Sequence, residues 1–328
     1  MQSSSRRAFL TGQRPPRDPW AAFCHRLGRL VTGTVRMLDA VEGHGRARLV
    51  VQQLADLHHA RALCAAEGVV MALDGLPTAH PACQEPVLYV LPGRDIARCE
   101  RLEPGGTRWF VQPGCLVGEL EALGFTALAG VPAHLTVAAW LSDPVSMGRL
   151  PPGRLQGCGL VYASVLLANG TSAGLGPFGE RNTKPLQGMA LQRLVSSLFQ
   201  LAGSPEGQLC RQQPVWPARY RLDALTPAAS TATGEQEGVN LARLLLGQAG
   251  ELGWLEWVVL DTSLMDAAVL DTSMTAGIEN GQVVEGTHLA VAPEPDVQAA
   301  ARQLDRRVKA LFDPGGVLSP REYPAASV

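Results

Sequence analysis

Residues 47–75 constrain this chain more than any other stretch. "ARLVV" (47–51) reads as a short buried strand, "LADLHHARALCAAEG" (54–68) as a helix ending at Gly68, and "VVMALDG" (69–75) as a strand running into a turn. Such a β-α-β unit implies a parallel pair of strands with the helix laid over the sheet. Just upstream, Asp18 followed by Pro19 is an N-cap with proline at the first helical position. Trp20, Phe23, Leu27, Leu30 and Val31 then share one face, which predicts a helix through the twenties.

The rest of the chain continues as mixed α and β. "PVLYVL" (86–91) and "TRWFVQPG" (107–114) read as strands, "CLVGELEALG" (115–124) as a short helix closed by Gly124, and "FTALAG" (125–130) as a returning strand. "LTVAAWL" (135–141) carries mixed signals. "CGLVYASVLLANG" (158–170) is the clearest strand, closed by an Asn-Gly turn, with "TSAGLG" (171–176) as its hairpin partner. A helix follows at about 186–201. "ALTPAASTATGEQEG" (224–238) is small and polar and reads as a linker. Beyond it come a helix at 239–253, a strand at 254–260, a second strand "THLAVA" at 287–292 and a last helix at 295–311. "VLDTS" occurs at 259–263 and 269–273, which suggests a local duplication folded as a hairpin.

Composition narrows the function classes. Hydrophobic residues make up 46% of the 328, enough for a sizeable core, and charged residues only 18%. A net charge of −2 gives no electrostatic reason to expect nucleic acid or an anionic membrane as partner. The seven cysteines are scattered without a CxxC pair, which argues against a disulfide framework or a zinc site and for reduced thiols in a cytoplasmic protein. "SSRRAFLTG" (4–12) resembles a twin-arginine export signal, but polar, proline-rich "QRPPRDPW" stands where the apolar stretch belongs; it reads as a chance match or a remnant. No segment approaches the roughly 20 apolar residues that span a bilayer.

The common chemical signatures are missing. There is no G-x-G-x-x-G, no G-x-x-x-x-G-K-[ST], no H-E-x-x-H and no G-x-S-x-G. His58 and His59 are adjacent on a predicted helix, point apart and read as surface residues. The tail is more specific. "FDPGGVLSPR" (312–321) follows the last helix, with Pro314 to stop it and two glycines to turn the chain.

Taken in order, these elements resemble the FAD-linked oxidases of the vanillyl-alcohol oxidase/PCMH superfamily, with the FAD-binding subunit of glycolate oxidase as the nearest likeness. That family commonly ends in F-D-P-x-G-(I/V)-L-N-P-G-(R/K), matched here by Phe312, Asp313, Pro314, Gly316, Val317, Leu318, Pro320 and Arg321. Its strand–Pro-Gly–helix element is matched by Pro113 and Gly114, and its T-(I/V)-G-G segment by Thr136 and Val137. The departures are that the glycine-rich loop keeps only Gly75, that Ala138 and Ala139 replace the glycine pair, and that Ser319 stands for Asn. The likeness runs over most of 45–321 and is thin between 205 and 285.

The resemblance implies an α+β fold: a two-subdomain PCMH-type FAD-binding domain (45–215), preceded by an extension and helix (1–44). A reduced α+β cap (216–305) would follow, then a tail (306–328) that returns to the FAD domain. It implies non-covalent FAD held by Gly75, Pro113, Gly114, Thr136, Val137, Ala138, Arg181 and Asn182. The reaction would be oxidation of a small 2-hydroxy acid such as glycolate or D-lactate. Its carboxylate needs a cation, for which Arg321, Arg181 and Lys184 are candidates, and its hydroxyl a base, for which His288 is the default. Other subunits of an oxidase complex would be partners. The missing glycines leave a second reading beside the first: a non-catalytic subunit of the same fold that acts as a binding or assembly partner.

Overall fold

A computed structural model of the chain describes residues 18–41, 43–76, 85–179, 186–228, 238–270, 278–279, 282–283 and 294–318. Two α+β subdomains, each built on its own sheet, share the chain. In the first, helix α1 (Pro19–Leu30) starts where expected, with the Asp18 carboxylate accepting the N–H groups of Trp20 and Ala21. Strands β1 (Thr34–Val41) and β2 (His44–Val51) form an antiparallel hairpin, followed by α2 (Leu54–Glu67), β3 (Val70–Leu73) and β4 (Val87–Pro92).

The sheet order is β1-β2-β4-β3, with β2 and β3 both parallel to β4. The two strands of the predicted β-α-β unit therefore lie in one sheet as expected but are not neighbours. β4 sits between them, bonded to β2 along one edge and to β3 along the other. Phe23 and Leu27 of α1 and Leu57, Ala60 and Cys64 of α2 pack on Leu49, Val51, Met71 and Leu88. Each of the Phe, Leu, Val and Met side chains among them contributes about 2 kcal/mol by leaving water. β1 escapes sequence reading because it is an edge strand with mostly exposed side chains and no apolar alternation.

The second subdomain contains β5 (Cys99–Arg101), β6 (Arg108–Val111), α3 (Val117–Ala122), α4 (Val137–Ser142), α5 (Pro144–Gly148), β7 (Leu160–Leu166) and β8 (Ser172–Leu175). It continues with β9 (Pro177–Phe178), α6 (Met189–Ala202), α7 (Pro205–Arg211), β10 (Val239–Asn240), β11 (Trp254–Asp261), α8 (Ala267–Leu270) and α9 (Pro295–Phe312). Its antiparallel sheet runs β5-β6-β11-β7-β8, and α9 packs on α6 and α7. The β7–β8 hairpin turns at Asn169-Gly170 as predicted.

Several expectations are corrected. The stretch 216–305 is no separate cap, because its strand β11 is the centre of the second sheet, bonded to β6 and β7. No helix spans 239–253. That run is β10 and a 3-10 turn (Leu241–Leu245), then a loop that turns left-handed at Gly247, Ala249 and Gly250, where a helix cannot pass. Its leucines are buried on all sides, which removes the periodicity that separates helix from loop. Residues 125–130 hold a 3-10 turn (Thr126–Leu128) rather than a strand, and 135–141 become α4. The first "VLDTS" ends β11, while Val269 and Leu270, the described part of the second, lie in α8 rather than in a strand. The strand predicted at 287–292 lies outside the described residues.

The tail behaves as its sequence suggests. Phe312 is buried, and Asp313 accepts the N–H groups of Val317 (2.9 Å) and Leu318 (2.8 Å) and the Lys309 ammonium (2.7 Å). Lys309 also donates to the carbonyls of Glu251 and Leu318. Val317 accepts the Met71 N–H of β3 at 2.7 Å, and Leu318, fully buried, enters the core of the first subdomain. The end of α9 is thereby pinned across to the first sheet.

Candidate functional site

Five of the residues that the family likeness assigns to a flavin, Pro113, Gly114, Thr136, Val137 and Ala138, lie at the seam between the subdomains. The turn after β4 and the turn after β6 press together there: Gly114 donates to the Ile96 carbonyl (2.9 Å), and Gly93 to that of Val51 (2.9 Å). A Cβ on Gly114 would stand 2.1 Å from the Gly93 oxygen, so the two backbones touch with nothing between them. Arg94 crosses the junction to the Gly114 carbonyl (2.7 Å) and pairs with Glu119 of α3.

Thr136 caps α4, its hydroxyl accepting the Ala139 N–H at 3.1 Å. The next donors are also engaged: Val137 bonds the Cys115 carbonyl (2.8 Å), Ala138 that of Pro113 (3.2 Å), and Trp140 that of Thr136 (2.8 Å). A helix N-terminus attracts anions through N–H groups that lack partners. Here Val137, Ala138 and Ala139 give theirs to protein oxygens.

Among the described residues, a space of about 10 Å³ is left at the seam, bounded by Leu73, Ile96, Pro113, Ala138, Gln248 and Trp254. That is room for about one water. Gln248 is satisfied from within the protein, donating to Ser142 and Gly253 and accepting from Leu252 (2.6 Å). The buried indole N–H of Trp254 finds no partner. One donor and a water-sized void do not fit an FAD, since sites for molecules of even smaller size run to roughly 300–1,000 Å³. This void by itself does not hold an FAD; the loop after Gly75 and residues 180–185, to which the likeness assigns the rest of the site, lie outside the described residues. Gly75 lies close by, at φ +82° in the turn after β3, with its N–H on the Asp74 carboxylate. Arg181, Asn182, Lys184, His288 and Arg321 lie outside the described residues.

Sequence reading missed a second polar cluster across the seam. Glu256 of β11, 5% exposed, accepts the hydroxyls of Ser164 (2.7 Å) and Ser172 (2.7 Å) and lies 3.0 Å from His58 Nε2 of α2. His58 is thus an inter-subdomain contact, while His59 is exposed. The carboxylate, not the imidazole, touches each hydroxyl, so the order of contacts is not that of a serine nucleophile and its base. A lone Glu within apolar "WLEWVVL" is the signal that could have found it. The six described cysteines are free thiols. Burial pushes Cys99 up to about 12 and Cys115 and Cys210 up to about 11, away from a reactive thiolate. Among the described residues no His, Cys, Asp and Glu cluster is placed to hold a metal, and no helix is long and apolar enough to cross a membrane.

No family model matches the chain, and no curated protein matches it. Among solved structures, BBE-like 1 of Physcomitrella patens overlaps 47% of this chain and 37% of its own at 13% identity, with a TM-score of 0.36. An alkyldihydroxyacetonephosphate synthase overlaps 66% of this chain and 32% of its own at 12% identity, with a TM-score of 0.37. The chain thus spans about a third of the length of these proteins. Overlaps at this level decide nothing about chemistry, and the α+β architecture stands on the chain's own strands and helices.

Proposed function

We propose that this chain is a flavin-free relative of the FAD-linked oxidases, keeping their two-sheet scaffold and acting as a binding or assembly subunit rather than by redox chemistry. One observation carries this reading: the seam where the family likeness puts the flavin is closed by backbone contacts and by hydrogen bonds that use the N–H groups of Val137, Ala138 and Ala139. The family-like order of elements and the tail support the scaffold; the tail pins α9 to β3, a role that needs no cofactor. Oxidation of a 2-hydroxy acid would need a bound flavin, a cation and a base; the candidates Arg181, Lys184, Arg321 and His288 lie outside the described residues.

The test is the visible absorbance of the purified full chain, followed by titration of FAD with flavin fluorescence as readout. A colourless protein that leaves the fluorescence unquenched is expected. A yellow protein with stoichiometric flavin, or turnover of glycolate or D-lactate with an artificial electron acceptor, would overturn the reading.

A further inference from the structure

Away from the seam, a groove of about 1240 Å³ opens on the second subdomain. Among the described residues it shares no lining residue with the seam. Its apolar surface includes Val161 of β7, Phe178 of β9 and Val239 of β10, where Asn240 of β10 donates to the Val161 carbonyl (3.0 Å) at the start of β7. Into the same concavity come Arg108 of β6, Arg211 at the end of α7, and Arg243 of the 3-10 turn. None of its described lining residues is an Asp or a Glu.

The three arginines come from separate elements, and each is anchored differently. Arg243 is 7% exposed, its Nε directed at the Leu160 carbonyl (3.4 Å), on a turn that begins with Asn240 accepting the Ala242 N–H. Arg211 donates to the Ala202 carbonyl at 3.2 Å. Arg108 lies 3.3 Å from Asp261, a carboxylate outside the lining, while its side chain stays 63% exposed. Gathering like charges in one concavity raises the local potential and concentrates anions there. A guanidinium holds planar oxyanions through paired N–H donors, and the apolar part of the wall suits a hydrocarbon or aromatic body.

We propose that this groove binds one organic oxyanion, an apolar body bearing a carboxylate or phosphate head. The head would lie among Arg108, Arg211 and Arg243 and the body along Val161, Phe178 and Val239. This does not depend on the seam being closed, since the two places have no residue in common.

The probe is 1-anilinonaphthalene-8-sulfonate, an aromatic body with one sulfonate, titrated into the full chain by fluorescence, with uncharged N-phenyl-1-naphthylamine beside it. Saturable binding at one site is expected. Arg211→Gln and Arg108→Gln should each weaken the anionic probe about fivefold, the loss of one charge-assisted contact, and leave the neutral probe unchanged. Circular dichroism verifies that these surface variants fold; Arg243→Gln, at a buried position, is expected to weaken the probe further if it folds. Decanoate and monodecyl phosphate then compete: displacement by either supports the proposal, and the stronger competitor names the head group. Equal loss of both probes, indifference of the anionic probe to both surface arginine variants, or displacement by neither competitor overturns it. A yellow, flavin-loaded protein would defeat the proposed function and leave these outcomes standing.

Discussion

The seam and the groove are built from opposite materials. At the seam, backbone meets backbone: Gly93 against Gly114, and the start of α4 against the carbonyls of Pro113 and Cys115, with about 10 Å³ to spare. At the groove, side chains from separate elements stand apart around about 1240 Å³. Backbone contacts of this kind cannot be opened by turning a side chain, whereas an arginine-lined concavity can adjust to its occupant by rotamer changes alone. The family likeness points to the seam, and the larger space among the described residues lies elsewhere.

The sharpest way to break this contrast is Gly114→Ala. Its methyl would meet two backbone oxygens, 2.1 and 2.8 Å away, neither of which can turn aside. Loss of about 3 kcal/mol or more is expected in urea unfolding. A neutral result would mean that the seam is loose and the flavin reading must return. Leu318→Ala comes next. It empties a fully buried position at which the tail of α9 enters the first core, and should remove about 3 kcal/mol. The double change Ala138→Gly and Ala139→Gly restores the glycines of the family pattern at a cost of about 2 kcal/mol in the α4 helix. It leaves the bonds of Val137 and Ala138 to Cys115 and Pro113 in place. The variant should stay colourless with FAD; acquisition of one equivalent of flavin would show that two methyl groups, not the backbone, had closed the site.

Much of the architecture was legible because it rests on local signals. The Asp18-Pro19 cap, the apolar run of β3, the Asn-Gly turn after β7 and the proline-glycine stop after α9 each act within a few residues. What depends on pairing between distant residues was not. Nothing near 254–260 says that β11 will lie between β6 and β7, and nothing at 239–253 separates an all-round buried loop from a buried helix until the left-handed turns are seen. The candidate site divides in the same way. Pro113, Gly114, Thr136, Val137 and Ala138, five of the eight residues that the family likeness assigns to a cofactor, lie together at the seam, yet their spacing cannot report whether they enclose a ligand or one another. The groove was invisible, since Arg108, Arg211 and Arg243 lie far apart in sequence and belong to no motif.

The finest test uses two carboxylates, one behind each place. Asp56 lies beside Leu57, a residue of the seam, and is fully buried. Burial alone would raise it, but the N–H groups of Gln52, Thr32, Gln53 and Gly33 outweigh burial and hold it below the usual carboxylate range. Asp305 of α9 accepts the N–H groups of Arg219 and Tyr220 on the segment that leads to the groove wall; there burial wins and pushes it up to about 6. The signs are opposite. The contribution of Asp56 is present above the ordinary carboxylate value near 4 and is lost as pH falls through its lowered value. That of Asp305 is full below about 4 and is lost as pH rises through about 6. Relative to the native chain, Asp56→Asn should therefore be most destabilising at neutral pH and recover in acid. Asp305→Asn, neutral and still able to accept a hydrogen bond, should gain by about 1–2 kcal/mol between pH 4 and pH 7. Urea unfolding of both variants across that range measures this directly, and parallel slopes would show that the two carboxylates do not separate the supports of the seam and the groove.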